Sequence, residues 1–346
     1  MTNGEEISTQ PGKEFVSIRK LIVFVLIGAV VYLAILFYLQ IDPVIAAISS
    51  LPYWILPALM TLSFLNYLIR YVKWQYYLRR IDVNLGHADS LSIFLAGFTL
   101  TTTPGKMGEA VKGVFINDID GTPLAKTAPV VVSERATDLI AMIILALVGF
   151  IIGFTGGDQL YLVVLLGAAA VVGAVILGRS EFYDKILQRL TSFGPLKKFL
   201  DDSNLIVDTM TKTMAPKPMA VSTAISVPGW FMECMALWLL LSILSGAGVP
   251  TLSQASLILL LQATFIHATA SAIGAVSFLP GGLIAYEGTA VILIPLLLGF
   301  TESQAGVAII IIRFVTLWFS VVVGFIALAV VERRRRTREQ NNSPQA

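Results

Sequence analysis

The chain has 346 residues, 56% hydrophobic and only 13% charged, with a mean hydropathy of +0.81. Soluble domains carry about 25% charged residues, and transmembrane β-barrels alternate polar with apolar positions rather than presenting long apolar runs; both classes are excluded, which leaves an all-α polytopic membrane helix bundle. The formal net charge of +2 says little by itself, and the single cysteine, Cys234, rules out an intramolecular disulfide and a cysteine-built metal cluster.

In chain order, a charged leader over residues 1–19 (1–12 read as disordered) precedes an apolar run at about 20–40. That run lacks the small-residue cleavage site of a signal peptide and reads as a retained anchor, the first of six full spans. The second span is expected at 52–79; Arg70 and Lys73 near its end read as snorkelling to the cytoplasmic interface. Residues 88–118 form an apolar hairpin broken at Pro104-Gly105-Lys106-Met107-Gly108-Glu109. Its arms, roughly fifteen residues each, are too short to cross a core of about 30 Å, so the hairpin is expected to be re-entrant. Spans three and four follow at 125–154 and 160–178. The loop 179–217 reads either as basic amphipathic helices on an anionic leaflet or as a solvated connector. Span five is placed at 218–246. A second apolar hairpin at 252–300 is broken at Pro280-Gly281-Gly282, and its longer arms leave re-entrant and fully spanning forms both open. Span six at 304–331 leads into a basic tail, 332–346, whose last residues, 337–346, read as disordered.

Lysine and arginine crowd one set of connections: Lys13, Arg19 and Lys20, then Arg79 and Arg80, then the central loop, then Arg333 to Arg336 with Arg338. The opposite connections, near Asp42, Asp158, Gly248 and Glu302, have none. That asymmetry places both termini and the central loop in the cytoplasm of a cell with this protein in its cytoplasmic membrane. Residues 52–154 and 218–331 then have the same order of elements in opposite orientation. Pro280 follows Pro104 by 176 residues and Arg313 follows Arg135 by 178. These landmarks predict an inverted repeat, and paired helix breaks in such repeats point to a transport site.

Ionisable residues inside a membrane are costly and functional by default. Glu134, Arg135 and Asp138 lie early in span three, where they form either a structural ion-pair knot or a phosphate-binding arginine with two flanking acids. Arg313 lies about mid-membrane and needs a distant partner: Glu287, Glu233 or a phosphate. Lys106 and Glu109 flank the start of a new helix near Gly108, where free N–H groups attract anions; Glu109 caps that helix or pairs with Lys106. No nucleophile–base set, nucleotide-binding loop or metal-ligand spacing appears. His87 falls in a loop, and His267 in a hairpin arm reads as a satisfied buried residue. No enzyme activity, cofactor, metal or nucleic-acid partner is therefore expected; a lipid-phosphate hydrolase, with Thr101, Thr102, Thr103, Ser277 or His267 as its reactive group, is the alternative.

Arg70-Tyr71-Val72-Lys73-Trp74 with Tyr77-Leu78, Pro104-Gly105-Lys106-Met107-Gly108-Glu109, Glu134-Arg135-x-x-Asp138, Leu279-Pro280-Gly281-Gly282 with Glu287, and Arg313 form an ordered set over roughly 15–331. The set resembles the membrane domain of lysylphosphatidylglycerol synthases, a family that includes stand-alone flippase-like proteins. The resemblance implies a lipid-translocating domain with two re-entrant hairpins entering from opposite faces. In the synthases a soluble domain modifies the lipid; this chain ends shortly after its last predicted span, so no such domain is expected. The second break departs from the family pattern, with Ile284 where a further glycine is expected after Leu283, which bears on the geometry around Glu287.

The expected function is flipping of an anionic phospholipid or polyprenyl-phosphate-linked lipid. Lys106, Arg135 and Arg313 would neutralise the phosphate, while Glu109, Glu134, Asp138 and Glu287 would orient these cations or carry a coupling proton. A role as membrane subunit for a separate lipid-modifying enzyme is a further alternative.

Overall fold

The computed structural model describes residues 49, 51–103, 109–154 and 203–342, and within them every regular element is helical. The expected spans at 20–40 and 160–178, the first Pro-Gly break at 104–108 and most of the central loop lie outside the described residues. The elements are α1 (Ile55–Arg80), α2 (His87–Ala96) running into a 3-10 turn (Gly97–Leu100), α3 (Val111–Asp120), α4 (Leu124–Gly153), α5 (Ser203–Met214), α6 (Pro216–Leu244), α7 (Gln254–Val276), a 3-10 turn (Pro280–Gly282), α8 (Ala285–Leu298), α9 (Glu302–Arg313), a π-helical turn (Phe314–Trp318) and α10 (Phe319–Asn342).

Six segments among the described residues are long and apolar enough to cross a membrane: α1, α4, α6, α7, Pro280–Leu298 and Glu302–Arg338. Four correspond to spans expected from the sequence. The other two are the arms of the second hairpin, so length alone permits both arms to span. The first hairpin differs: α2 and α3 have ten residues each, about 15 Å of helix, half a hydrocarbon core.

Two apolar bodies hold the bundle together. One joins α1 from Ile55 and Leu59 to α4, α6, α7, α8 and α9. The other is aromatic, built from Tyr67, Trp74, Tyr77, Phe94, Phe98 and Phe115, and joins the far half of α1 to α2, α3 and α10. Along α4 the order is Val130 in the second body, then Glu134 to Asp138, then Ala141, Met142 and Leu145 in the first. The charged residues therefore fall at the seam.

Helices approach closely where glycine removes the side chain. A Cβ at Gly149 of α4 would sit 2.5 Å from the carbonyl oxygen of Leu261 and 2.6 Å from the nitrogen of Phe265, both backbone atoms of α7. Small residues are the usual means of bringing membrane helices into such contact. One turn further on, Gln262 donates to the Gly153 carbonyl at 3.1 Å.

Two expectations are corrected. The tail is not irregular from 337: α10 continues to Asn342, because Arg334 and Arg338 pair with Asp89 at 3.0 and 2.6 Å, and Arg335 with Asp118 at 3.3 Å. At its described end, 203–214, the central loop is not a solvated connector, while the stretches expected to lie on the leaflet fall almost wholly outside the described residues. Met210 and Met214 of α5 pack on Ala136, Thr209 donates to the Lys126 carbonyl at 3.1 Å, and Thr213 and Ser133 share a hydrogen bond of 2.7 Å.

The glycine contact gives a direct test. Gly149→Ala is expected to destabilise the bundle by about 1–3 kcal/mol through overpacking. Gly306→Ala, where an added Cβ meets nothing within 4 Å, should leave thermal unfolding in detergent unchanged or slightly raised.

Candidate functional site

Asn66, Arg70, Lys73 and Tyr77 recur at helical spacing on one face of α1 and are buried. Arg70 and Lys73 do not snorkel to the helix end, as the sequence reading had it; both turn inward to Asp138 of α4. Lys73 Nζ lies 2.5 Å from Asp138 Oδ1, and the Arg70 and Arg135 guanidiniums approach Oδ2 at 3.4 and 3.2 Å. Ser226 of α6 donates to the same carboxylate at 3.0 Å. One acid thus organises three cations from two helices.

The network continues through Arg135 to Glu109 at 3.3 Å, from Glu109 to Lys112 at 3.8 Å, and from Lys112 to Glu134 at 2.5 Å. Lys112 was missed in the sequence, although Glu109 and Lys112 are three apart and share a helix face. Its ammonium sits 4.4 Å from the Trp74 ring centroid. Lys106, with Pro104, Gly105 and Gly108, lies outside the described residues.

A second cluster is built around the Pro280 break. Of the three partners that the sequence offered Arg313, Glu287 is the one in place, at 2.7 Å from Nε; Nη2 donates to the Gly281 carbonyl at 2.7 Å. The guanidinium also lies 4.9 Å from the Tyr286 ring centroid. Glu287 stands in the first turn of α8, where the helix dipole favours a carboxylate. Beside this pair, His267 of α7 contacts Tyr286 Oη through Nδ1 at 2.9 Å and Glu233 of α6 through Nε2 at 3.2 Å. The sequence reading left Glu233 as a mere candidate partner for Arg313 and gave Tyr286 no role; no spacing links residues so far apart in the chain.

Both clusters open on one cavity of about 400 Å³, walled among others by Arg70, Glu109, Arg135, Asp138, Glu233, His267 and Arg313. The second break and the residues that enter the first meet there: a Cβ on Gly281 would lie 3.6 Å from the Thr102 Cα, and Thr101 to Thr103 are buried. Glu134 and Glu287 do not reach the cavity wall; they stand behind it and hold Lys112 and Arg313. Among the described residues, five cations (Arg70, Lys73, Lys112, Arg135, Arg313) face five carboxylates (Glu109, Glu134, Asp138, Glu233, Glu287). Among the described residues, several polar atoms nevertheless lack a well-directed hydrogen bond: Nε of Arg70 and of Arg135 and the Thr101 and Thr102 hydroxyls, while Nη2 of each arginine and Asp138 Oδ2 have only the ion pairs given above. Buried donors without acceptors are costly, and here they line a space large enough to admit an acceptor. Part of the rim is apolar and outward-facing: Val132, Val276, Phe278 and Leu279 are all exposed.

The second break demands unusual backbone. Phe278, Gly281, Gly282 and Ile284 all have positive φ, with Ile284 at 71°. This is the position where the resemblance leads one to expect glycine, and a β-branched residue there is strained.

A family model described as Lysylphosphatidylglycerol synthase TM region matches residues 25–324. No curated protein matches the chain.

Two substitutions test this construction. Ile284→Gly should stabilise the protein by about 1 kcal/mol, since it relieves backbone strain while removing a side chain that is 60% exposed; a lower melting temperature would contradict it. Asp138→Asn should cost about 3–5 kcal/mol, because it strands buried cations, and the loss should show as a strongly lowered melting temperature.

Proposed function

Since the chain belongs to the lysylphosphatidylglycerol synthase TM region family, we propose that it carries an anionic, phosphate-bearing lipid across the membrane that its helices span. The observation that carries this reading is the approach of the second break to the residues that enter the first, at a polar cavity walled by guanidinium groups and rimmed by apolar side chains. In a bilayer, irregular backbone is tolerated where protein covers it or where it lines a hydrated space. Here it does both.

A phosphate entering the cavity meets Arg135 from α4 and Arg313 from α9, with Arg70 beyond. Arginine suits this task because its planar fork matches phosphate oxygens in pairs. Glu109 and Asp138 aim Arg135, and Glu287 aims Arg313. Lys106, from the first break, would add a further cation. The acyl or prenyl chains would stay in lipid, leaving past Val132, Val276 and Phe278. Movement of the α1–α4 half against the α6–α10 half, as an inverted repeat with two re-entrant hairpins, would expose the cavity to each leaflet in turn. The basic ends of α1 and α10 would face the cytoplasm, with the protein in the cell membrane and its arginines against an anionic leaflet.

A carrier fits the site better than a hydrolase does. Both ring nitrogens of His267 are engaged, by Tyr286 and Glu233, so this histidine offers no free lone pair to a phosphorus atom. Of the hydroxyls that the sequence offers, Thr103 and Ser277 donate to the Leu100 and Gly274 carbonyls at 2.7 Å each, and Thr101 and Thr102 have no base within hydrogen-bonding reach among the described residues.

Proteoliposomes containing fluorescent anionic lipid provide the test. Arg135→Ala with Arg313→Ala is expected to reduce lipid movement at least about tenfold, the loss of charge-assisted bonds worth some 1.5–3 kcal/mol each. Transport unchanged in the double variant would defeat the assignment, as would release of inorganic phosphate from a polyprenyl pyrophosphate by the purified protein.

A further inference from the structure

We propose that Glu233, His267 and Tyr286 form a proton-binding site, and that a phosphodiester headgroup entering beside Arg313 is bound together with one proton taken up on His267. The proposal rests on the carrier reading above and adds what that reading lacks, a coupling ion and its place of binding.

The geometry sets the proton positions. A carboxylate only accepts hydrogen bonds, so the ring nitrogen facing Glu233, Nε2, carries hydrogen. In a neutral imidazole the other nitrogen is then bare. Nδ1 therefore accepts from the Tyr286 hydroxyl, 2.9 Å away, and Tyr286 spends its only hydrogen inward. When a proton from water adds to Nδ1, that nitrogen becomes a donor, the Tyr286 oxygen becomes its acceptor, and the hydroxyl hydrogen must turn elsewhere. No other bond breaks, and the site gains one positive charge. Tyr286 borders the cavity and its ring lies against the Arg313 guanidinium, so the released O–H is free to donate to an anion held beside Arg313. Protonation of His267 thus creates a donor for the headgroup, and the headgroup in turn favours protonation; the linkage is reciprocal.

The groups around His267 are Glu233 and Cys234 from α6, Tyr286 and Glu287 from α8, Arg313 from α9, and, across the cavity, Arg135 and Asp138 from α4 and Arg70 and Tyr67 from α1. The guanidiniums oppose an imidazolium and the carboxylates favour it.

The test is calorimetric titration of the detergent-solubilised full chain with dioctanoyl phosphatidylglycerol, in two buffers of equal pH and different ionisation enthalpy. The expected result is uptake of up to about one proton per lipid bound, with affinity falling up to about tenfold for each unit rise in pH. His267→Gln should abolish the uptake. Tyr286→Phe, which keeps the ring under Arg313, should abolish it too and carries the test if His267→Gln does not fold. Glycerophosphoglycerol, the diester without chains, forms the second arm: proton-linked binding as tight as that of the lipid would uphold the linkage and remove the lipid as its source. Binding of the lipid by the wild type without proton uptake, or uptake unchanged in both variants, overturns this proposal alone. Failure of the wild type to bind either probe overturns the carrier reading and this one together.

Discussion

An ionised side chain withdrawn from water costs several kcal/mol unless opposite charges and hydrogen bonds replace the lost hydration. Asp138 meets that constraint for three cations at once, and the rest of the bundle is arranged around it. It fixes the face that α1 turns to α4, because Arg70 and Lys73 can be buried only where they reach it. It draws in α6 through Ser226. Through Arg135 it extends to Glu109 and so ties the segment after the first break to the same centre. Apolar packing could be satisfied by many rotations of these helices; the charge network selects one.

The second half solves the same problem differently. Among the described residues, Arg313 has one carboxylate, one backbone carbonyl and one aromatic face. The carbonyl belongs to Gly281, whose left-handed backbone lies within the break itself. The irregular turn is therefore a ligand for the arginine, and the arginine supplies one of the partners that the turn loses by leaving the helix. Just beyond Arg313 the chain passes through a π-helical turn, Phe314–Trp318, whose Thr316 carbonyl accepts from Tyr67 of α1 at 3.1 Å. Such turns recur at functional sites.

Much of this was legible in the sequence, and the reason is the membrane. Apolar length alone located α1, α4, α6 and the last span, and the cost of buried charge drew attention to Glu134, Arg135, Asp138 and Arg313. What stayed hidden depends on distance across the fold. Arg70 and Lys73 lie near a helix end, where snorkelling is the ordinary expectation, and only Asp138, 65 residues from Lys73 in the chain, turns them inward. His267, Glu233 and Tyr286 come from three helices and share no spacing. The continuation of α10 to Asn342 could not be read from a run of arginines, since its stabilising partners, Asp89 and Asp118, belong to the first hairpin.

That last helix has a mechanical consequence. Gly324, within it, presses directly on the backbone at Phe98 and Thr99, and its arginines grip α2 and α3 several turns away. The helix thus touches the first hairpin at two heights, by backbone packing at Gly324 and by ion pairs at its arginines. A displacement of this helix would therefore be felt by the segment that ends at Thr101, on the cavity wall.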